Sequence, residues 1–234
     1  MAVPGAGDRP VVPRRIDQRI RRGEYSEFFR TRGMEDFWFQ LVKHFQEIQA
    51  KNLPDLKIIV VGCSSGEEAY SVAMLAKQLG LDRRTRVKTI GIDRTPTLIS
   101  QARIGIFRKS DYGTDPEVSL PPEYEQYFVG LGEKGQDRFR LRKEIREAVD
   151  FIFADILVNV PEEAKNAEVI LAHNLIASDR REQESVLSAC VKLARKGSLL
   201  FINNGFFSLA ALDRLSQEAE IIFMSESDIV YRVK

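Results

Sequence analysis

One stretch, Lys57–Gly80, restricts the chain more than any other. It begins with Lys57-Ile58-Ile59-Val60-Val61, an unbroken β-branched run that predicts a strand buried on both faces. A turn rich in Gly and Ser follows, Gly62-Cys63-Ser64-Ser65-Gly66. Beyond it, Val72, Leu75, Ala76 and Leu79 recur at helical spacing, and Gly80 stands where that helix should end. A strand that feeds a helix through a glycine turn lets a ligand approach the backbone closely at the carboxyl end of a sheet. Gly62 and Gly66 are therefore candidate ligand-binding positions.

The chemistry of the turn narrows the ligand. The full dinucleotide fingerprint is missing, and Glu67-Glu68 open the helix. Carboxylates suit a helix N-terminus but repel a phosphate placed there. A cationic or neutral nucleoside fits better than a pyrophosphate, and S-adenosylmethionine carries a sulfonium and an ammonium and no phosphate. The second strand, Arg86–Asp93, ends in an acid. At that place Asp93 either accepts hydrogen bonds from ribose hydroxyls or caps the helix near Pro96–Ala102.

The alternation of strands and helices continues to the end of the chain. An earlier helix, about Met34–Gln49, carries Met34, Phe37, Trp38, Leu41, Val42, Phe45 and Ile48 as a core stripe, with His44 read as a surface or boundary residue. Lys109–Glu147 breaks the βα pattern with Pro121-Pro122, Gly130, Gly132 and Gly135, and with Arg138-Phe139-Arg140-Leu141-Arg142 alternating as an exposed antiparallel strand does. It reads as a small inserted subdomain. Buried strands resume at Val149–Phe153, Glu168–Ala172 and Ser198–Ile202, with a helix over Glu182–Arg195 that ends before Gly197. Cys190, on that helix, is expected to be an inert core thiol. A helix over about Leu209–Glu218 and two alternating segments, Glu220–Met224 and Asp228–Val233, close the chain. The order predicts an α/β fold with a doubly wound, mostly parallel sheet and an antiparallel strand at its end.

Composition removes several function classes. With 35 basic and 34 acidic residues, the molecule has no strong overall field for nucleic acid or an anionic membrane. Arg14–Arg22 is locally basic, but it lacks interleaved aromatics and reads as a solvated face. Two cysteines far apart make neither a disulfide framework nor a metal cluster and suit the cytosol. Met1–Gly7 has no apolar signal core, and no run reaches membrane-spanning length. At 234 residues, one large domain or one with a small insert is expected.

Gly62-Cys63-Ser64-Ser65-Gly66-Glu67-Glu68-Ala69-Tyr70-Ser71 resembles motif I of the CheR-type chemotaxis receptor glutamate methyltransferases. Ala102–Arg108, Tyr124–Phe128 and Arg138–Phe151 resemble that family's small β-subdomain and its return to the sheet, and roughly Glu24 to Gly205 can be laid on the family. The resemblance implies a class I S-adenosylmethionine-dependent methyltransferase: a seven-stranded Rossmann-like sheet with an inserted β-subdomain, here 109–147 within a domain 53–234 that follows an N-terminal helical segment 1–52. It also implies roles by position. Ser26 matches a family Ser/Thr, Glu67 a cofactor-contacting acid and Asp93 the ribose acid. Asp155 and Ile156 fall where the family contacts adenine, and Asn174 is kept beneath the cofactor. Arg30 matches the Arg at the active-site edge, His173 replaces an Arg, and Ser178 stands where a Tyr should lie near the transferred methyl. Asn204-Gly205-Phe206-Phe207 replaces a Gly-His-Ser-Glu-like segment, and the family's helical receptor-binding domain is not expected in the short stretch before Glu24.

The expected activity is methyl transfer to a carboxylate of a protein or to a small-molecule acceptor, with Arg30, His173 and Ser178 on the catalytic side. For an amine or hydroxyl acceptor, which usually needs a base, His173 and Asp179 are the nearest candidates in sequence; His173 has a second reading, a structural hydrogen bond at a strand end. The rebuilt acceptor side leaves two other functions open. One is attack on the sulfonium by the cofactor's own amine or carboxylate, or elimination, with release of methylthioadenosine. The other is non-catalytic binding of S-adenosylmethionine by an interaction protein.

Overall fold

The computed structural model describes residues 35–108, 122–131, 138–173, 180–203, 207–225 and 228–234. The basic run 14–22, the aromatic segment 24–30 and the divergent residues 204–206 lie outside them. In chain order the elements are α1 (Glu35–Ala50), β1 (Asp55–Val61), α2 (Glu67–Gln78), β2 (Arg86–Asp93), α3 (Pro96–Ile104), β3 (Ile106–Arg108), α4 (Pro122–Glu125), β4 (Phe128–Gly130) and β5 (Arg138–Leu141). They continue as α5 (Lys143–Arg146), β6 (Val149–Phe153), β7 (Ala167–Ala172), α6 (Arg180–Leu193), β8 (Ala194–Asn203), α7 (Leu209–Glu218), β9 (Ala219–Met224) and β10 (Asp228–Val233).

Seven strands form one sheet in the order β6-β2-β1-β7-β8-β10-β9. β6, β2, β1, β7 and β8 pair in parallel, and β10 runs antiparallel to both of its neighbours. The unbroken run of β1 does what its composition requires, because alternate residues face two different cores. Ile58 and Val60 join Leu171, Phe201 and Val230 under α1 and α2, where Phe37, Leu41, Phe45, Val72 and Leu75 meet them. Ile59 and Val61 join Ile170, Leu200 and Ile202 under α6 and α7, against Leu187, Cys190 and Leu215. Each fully buried Leu, Ile or Phe contributes about 1.5–3 kcal/mol relative to exposure, so neither face can be left uncovered. No helix among the described residues is long and apolar enough to cross a membrane.

A second sheet of three antiparallel strands, β3-β5-β4, stands beside the first. Its core is aromatic. Phe139 stacks on Phe107 at 6.0 Å and meets Phe128 edge-on at 4.9 Å, and Phe107 in turn meets Tyr70 of α2. The Tyr70 hydroxyl donates to Ala102 O at 2.7 Å, which ties the start of α2 to α3.

Two local expectations change. The helix expected over Glu182–Arg195 is Arg180–Leu193, and Gly197 lies inside β8 with φ 83 instead of just beyond a helix end. There the pairing with β7 slips from Ala167↔Ala194 to Val169↔Leu199. The Ser198 hydroxyl fills the gap, donating to Ala167 O at 2.6 Å and accepting from Arg195 N at 3.0 Å. Gly197 takes the left-handed backbone there without the penalty of a Cβ, and the slipped pairing lies across the sheet, not in the local pattern.

His44 stands at the boundary, as one of its two readings expected, with a side chain 19% exposed. Burial, reinforced by Lys51 and Arg232 and opposed by Glu47, lowers its pKa to about 4. The unfolded chain keeps the ordinary value near 6.5, so it binds more protons than the folded one between those limits. This group's contribution to stability is therefore expected to fall as pH drops from about 6.5 toward about 4. His44→Leu should flatten that part of a stability–pH curve measured by denaturant unfolding, and a curve of unchanged slope would refute the assignment.

Candidate functional site

The chain runs outward from β1 to β2 and β6, then returns to β7 on the other side of β1. The carboxyl ends of β1 and β7 therefore flank the switch point of the sheet, where open α/β sheets place their ligands. Each candidate residue that falls within the described part of the chain lies at the carboxyl end of one of the four strands β6, β2, β1 and β7, in the turn or loop that leaves it, or at the start of the helix that follows. These residues are Gly62, Gly66, Glu67, Asp93, Asp155, Ile156 and His173. Ser26, Arg30, Asn174 and Ser178 lie outside the described residues.

The turn after β1 is built from left-handed residues, with φ 68 at Gly62, 51 at Ser64 and 98 at Gly66. Most of its backbone donors are already taken. Gly62 N and Cys63 N both donate to Ile92 O, Ser64 N donates to Asp93 Oδ2 at 2.9 Å, and Gly66 N donates to Cys63 O. A phosphate cradle needs such N–H groups free. The side-chain charge points the same way, since the carboxylates of Asp93, Glu67 and Glu68 all bear on the Cys63 thiol, whose pKa burial and these charges push well up. The turn therefore suits a cation-bearing nucleoside better than a phosphate.

Asp93 is aimed rather than loose. Its Oδ2 accepts from Ser64 N, and its Oδ1 accepts from Thr95 N at 2.8 Å. Thr95, not Asp93, occupies the N-cap of α3. The capping alternative therefore does not account for the acid. Ala154 N donates to Asp93 O at 3.1 Å and so brings the loop after β6 beside it. In that loop Asp155 turns its Oδ1 to Leu157 N, while Ile156 anchors the loop in the core beneath the sheet. Glu67, 5% exposed at the first turn of α2, takes the Ser65 hydroxyl at 2.8 Å on both oxygens.

His173 is placed where the structural reading required. Its imidazole has no exposed surface, and its Nδ1 donates to Glu68 Oε1 at 2.5 Å. Phe37 of α1 meets it edge-on at 4.4 Å, and its Nε2 is buried with no partner among the described residues.

Three residues of this region escape the sequence reading. Glu68 is visible there only as a helix-opening acid, because its partner is 105 positions away. Gly91 and Phe151 shape the turn from below, since a Cβ at Gly91 would lie 2.8 Å from the Phe151 ring and 2.9 Å from Cys63 Sγ. The lone glycine in Thr89-Ile90-Gly91-Ile92 is the readable signal, because a glycine inside a strand marks a close approach.

A family model described as CheR methyltransferase, SAM binding domain matches residues 24–215. The chain belongs to the CheR methyltransferase family. Among curated CheR relatives, a chemotaxis protein methyltransferase of Borreliella burgdorferi is 25% identical over 183 residues, which is 72% of this chain and 62% of that protein. One from Salmonella typhimurium is 30% identical over 152 residues, 63% of this chain and 50% of that protein. The chain thus spans only half to three fifths of the length of these relatives. A structure from Listeria monocytogenes, described as a candidate class I S-adenosylmethionine-dependent methyltransferase, covers 85% of the chain and 59% of its own with a TM-score of 0.50 at 14% identity, a likeness of fold alone. The turn built from residues 62–66 and the acids around it fit the S-adenosylmethionine of a CheR domain.

Proposed function

We propose that the chain is an S-adenosylmethionine-dependent methyltransferase whose acceptor is a carboxylate, on a protein or a small molecule. One observation carries the choice of acceptor. His173 is enclosed and already holds Glu68, so it does not stand open to an acceptor as a base, and Asp179, the other candidate, lies outside the described residues. A carboxylate is ionised at pH 7 and needs no base, whereas a hydroxyl or amine acceptor usually does. The names of the relatives, chemotaxis protein methyltransferases, support a protein acceptor.

The bound S-adenosylmethionine supplies a methyl group activated by a sulfonium. The protein's task is to hold the acceptor in line and exclude water. Asp93 holds the ribose, Asp155 and Ile156 border the adenine, and Gly62, Gly66 and Glu67 line the amino-acid end with Ser26 and Asn174. Arg30 clamps a carboxylate through paired N–H groups, and Ser178 lines the acceptor side. His173 takes a positioning role. The reaction is assigned to the cytosol, which suits two buried free thiols, with burial raising the Cys190 pKa to about 12.

Incubation with S-adenosylmethionine carrying a labelled methyl group tests this reading. S-adenosylhomocysteine should form only when a cell extract or carboxylate peptide is added, and mild alkali should release the label as volatile methanol. A label that resists alkali would exclude an ester, methylthioadenosine without extract would point to chemistry within the cofactor, and saturable binding without product would leave a binding protein.

A further inference from the structure

We infer that Glu68 is a positioning residue of the nucleoside crevice, acting through His173 and not by touching the ligand. The inference rests on reading that crevice as the S-adenosylmethionine site. Glu68 lies in the first turn of α2, where a carboxylate is ordinarily turned to water and stabilised by the helix dipole. Here its side chain is only 13% exposed and faces the imidazole of His173 at 2.5 Å.

A carboxylate only accepts, so Nδ1 of His173 must carry the proton, whatever the charge on the ring. That fixes the ring's orientation and leaves Nε2 as the buried atom without a partner among the described residues. From the other side Phe37 closes on the imidazole edge-on, and Phe37 is itself edge-on to Phe201 of β8 at 5.3 Å. Three segments therefore meet at His173: α1 through Phe37, the start of α2 through Glu68, and the end of β7 through its own backbone. Two of these are the walls of the crevice. The turn 62–66 leads directly into α2, and residue 174 directly follows His173. The Glu68–His173 hydrogen bond is a strut that sets the separation of the two walls.

Calorimetric affinity for S-adenosylhomocysteine tests the strut. Glu68→Ala and His173→Ala should each weaken binding about tenfold, the scale of one charge-assisted hydrogen bond. The double variant should be no weaker than either single one, because both remove the same strut. Glu68→Gln should recover most of the affinity, since its amide oxygen still accepts from Nδ1. Losses that multiply to about a hundredfold in the double variant would mean that Glu68 reaches the ligand itself, and would overturn the inference. Nitrogen-15 spectra of the wild-type histidines give a second measurement that needs no variant to fold. Nδ1 of His173 should be protonated, and a bare Nδ1 would overturn the inference. A wild-type chain that binds no nucleoside sinks the underlying reading, whereas one that binds while Glu68→Ala changes nothing sinks the strut alone.

Discussion

Gly66→Ala is expected to destabilise the fold by roughly 2–5 kcal/mol, the sum of a left-handed backbone penalty and overpacking. Two independent causes act at this position. Its φ of 98 lies in the region that side chains disfavour, and an added Cβ would meet Phe151 Cζ at 2.8 Å and Ala102 Cβ at 3.0 Å. Gly91→Ala isolates the second cause, since its Cβ would meet Phe151 at 2.8 Å and Cys63 Sγ at 2.9 Å on a strand backbone with no positive φ. It should cost only the overpacking share, roughly 1–3 kcal/mol. A second change, Phe151→Leu, removes the ring that both positions press on. It should return most of the loss in Gly91→Ala and a smaller part in Gly66→Ala, where the backbone strain and the Ala102 contact remain. Denaturant midpoints of the four variants and of Phe151→Leu alone measure this. Equal costs at the two glycines, equally rescued, would show that backbone strain at Gly66 contributes nothing.

The same pair of glycines marks how far the sequence alone reaches. Ile58–Val61 has no alternation and is flanked by a glycine turn and a helical stripe, so the central strand, the two covered faces and the turn at the switch point follow from local pattern. Asp93 was placed at a strand tip by the same logic. What local pattern does not hold is the identity of partners across the fold. His173 and Glu68 are both conspicuous, but only the crossing of β7 beside β1 brings them together. The bulge at Gly197 arises from pairing between β7 and β8, and the field of Arg232 of β10 at His44 comes from the packing of α1 on the sheet. Residues that work by local geometry were legible, and residues that work through a tertiary partner were not.

Asp93→Ala is expected to weaken nucleoside binding about a hundredfold. The estimate follows from the geometry of the carboxylate. Each oxygen accepts one backbone N–H, from Ser64 at 2.9 Å and from Thr95 at 2.8 Å, and each oxygen keeps a further lone pair. Two ribose hydroxyls can donate to those without displacing either internal bond. A hydrogen bond to a charged group is worth about 1.5–3 kcal/mol, so losing two at the lower value is about 3 kcal/mol, or roughly a hundredfold in Kd. Some of any measured loss could come from the turn, because Ser64 N is left without its acceptor. Asp93→Asn does not separate the two causes, since its amide has only one oxygen for two backbone donors. The ligand separates them instead. The 2′-deoxy analogue of S-adenosylhomocysteine lacks one of the donors, so the wild-type chain should bind it about tenfold more weakly than the parent, at the scale of one such bond. The Asp93→Ala chain should bind the two ligands alike, because it has lost the acceptor that tells them apart. If that variant still discriminates as the wild type does, the ribose partner lies elsewhere, and Asp93 serves only to hold the turn.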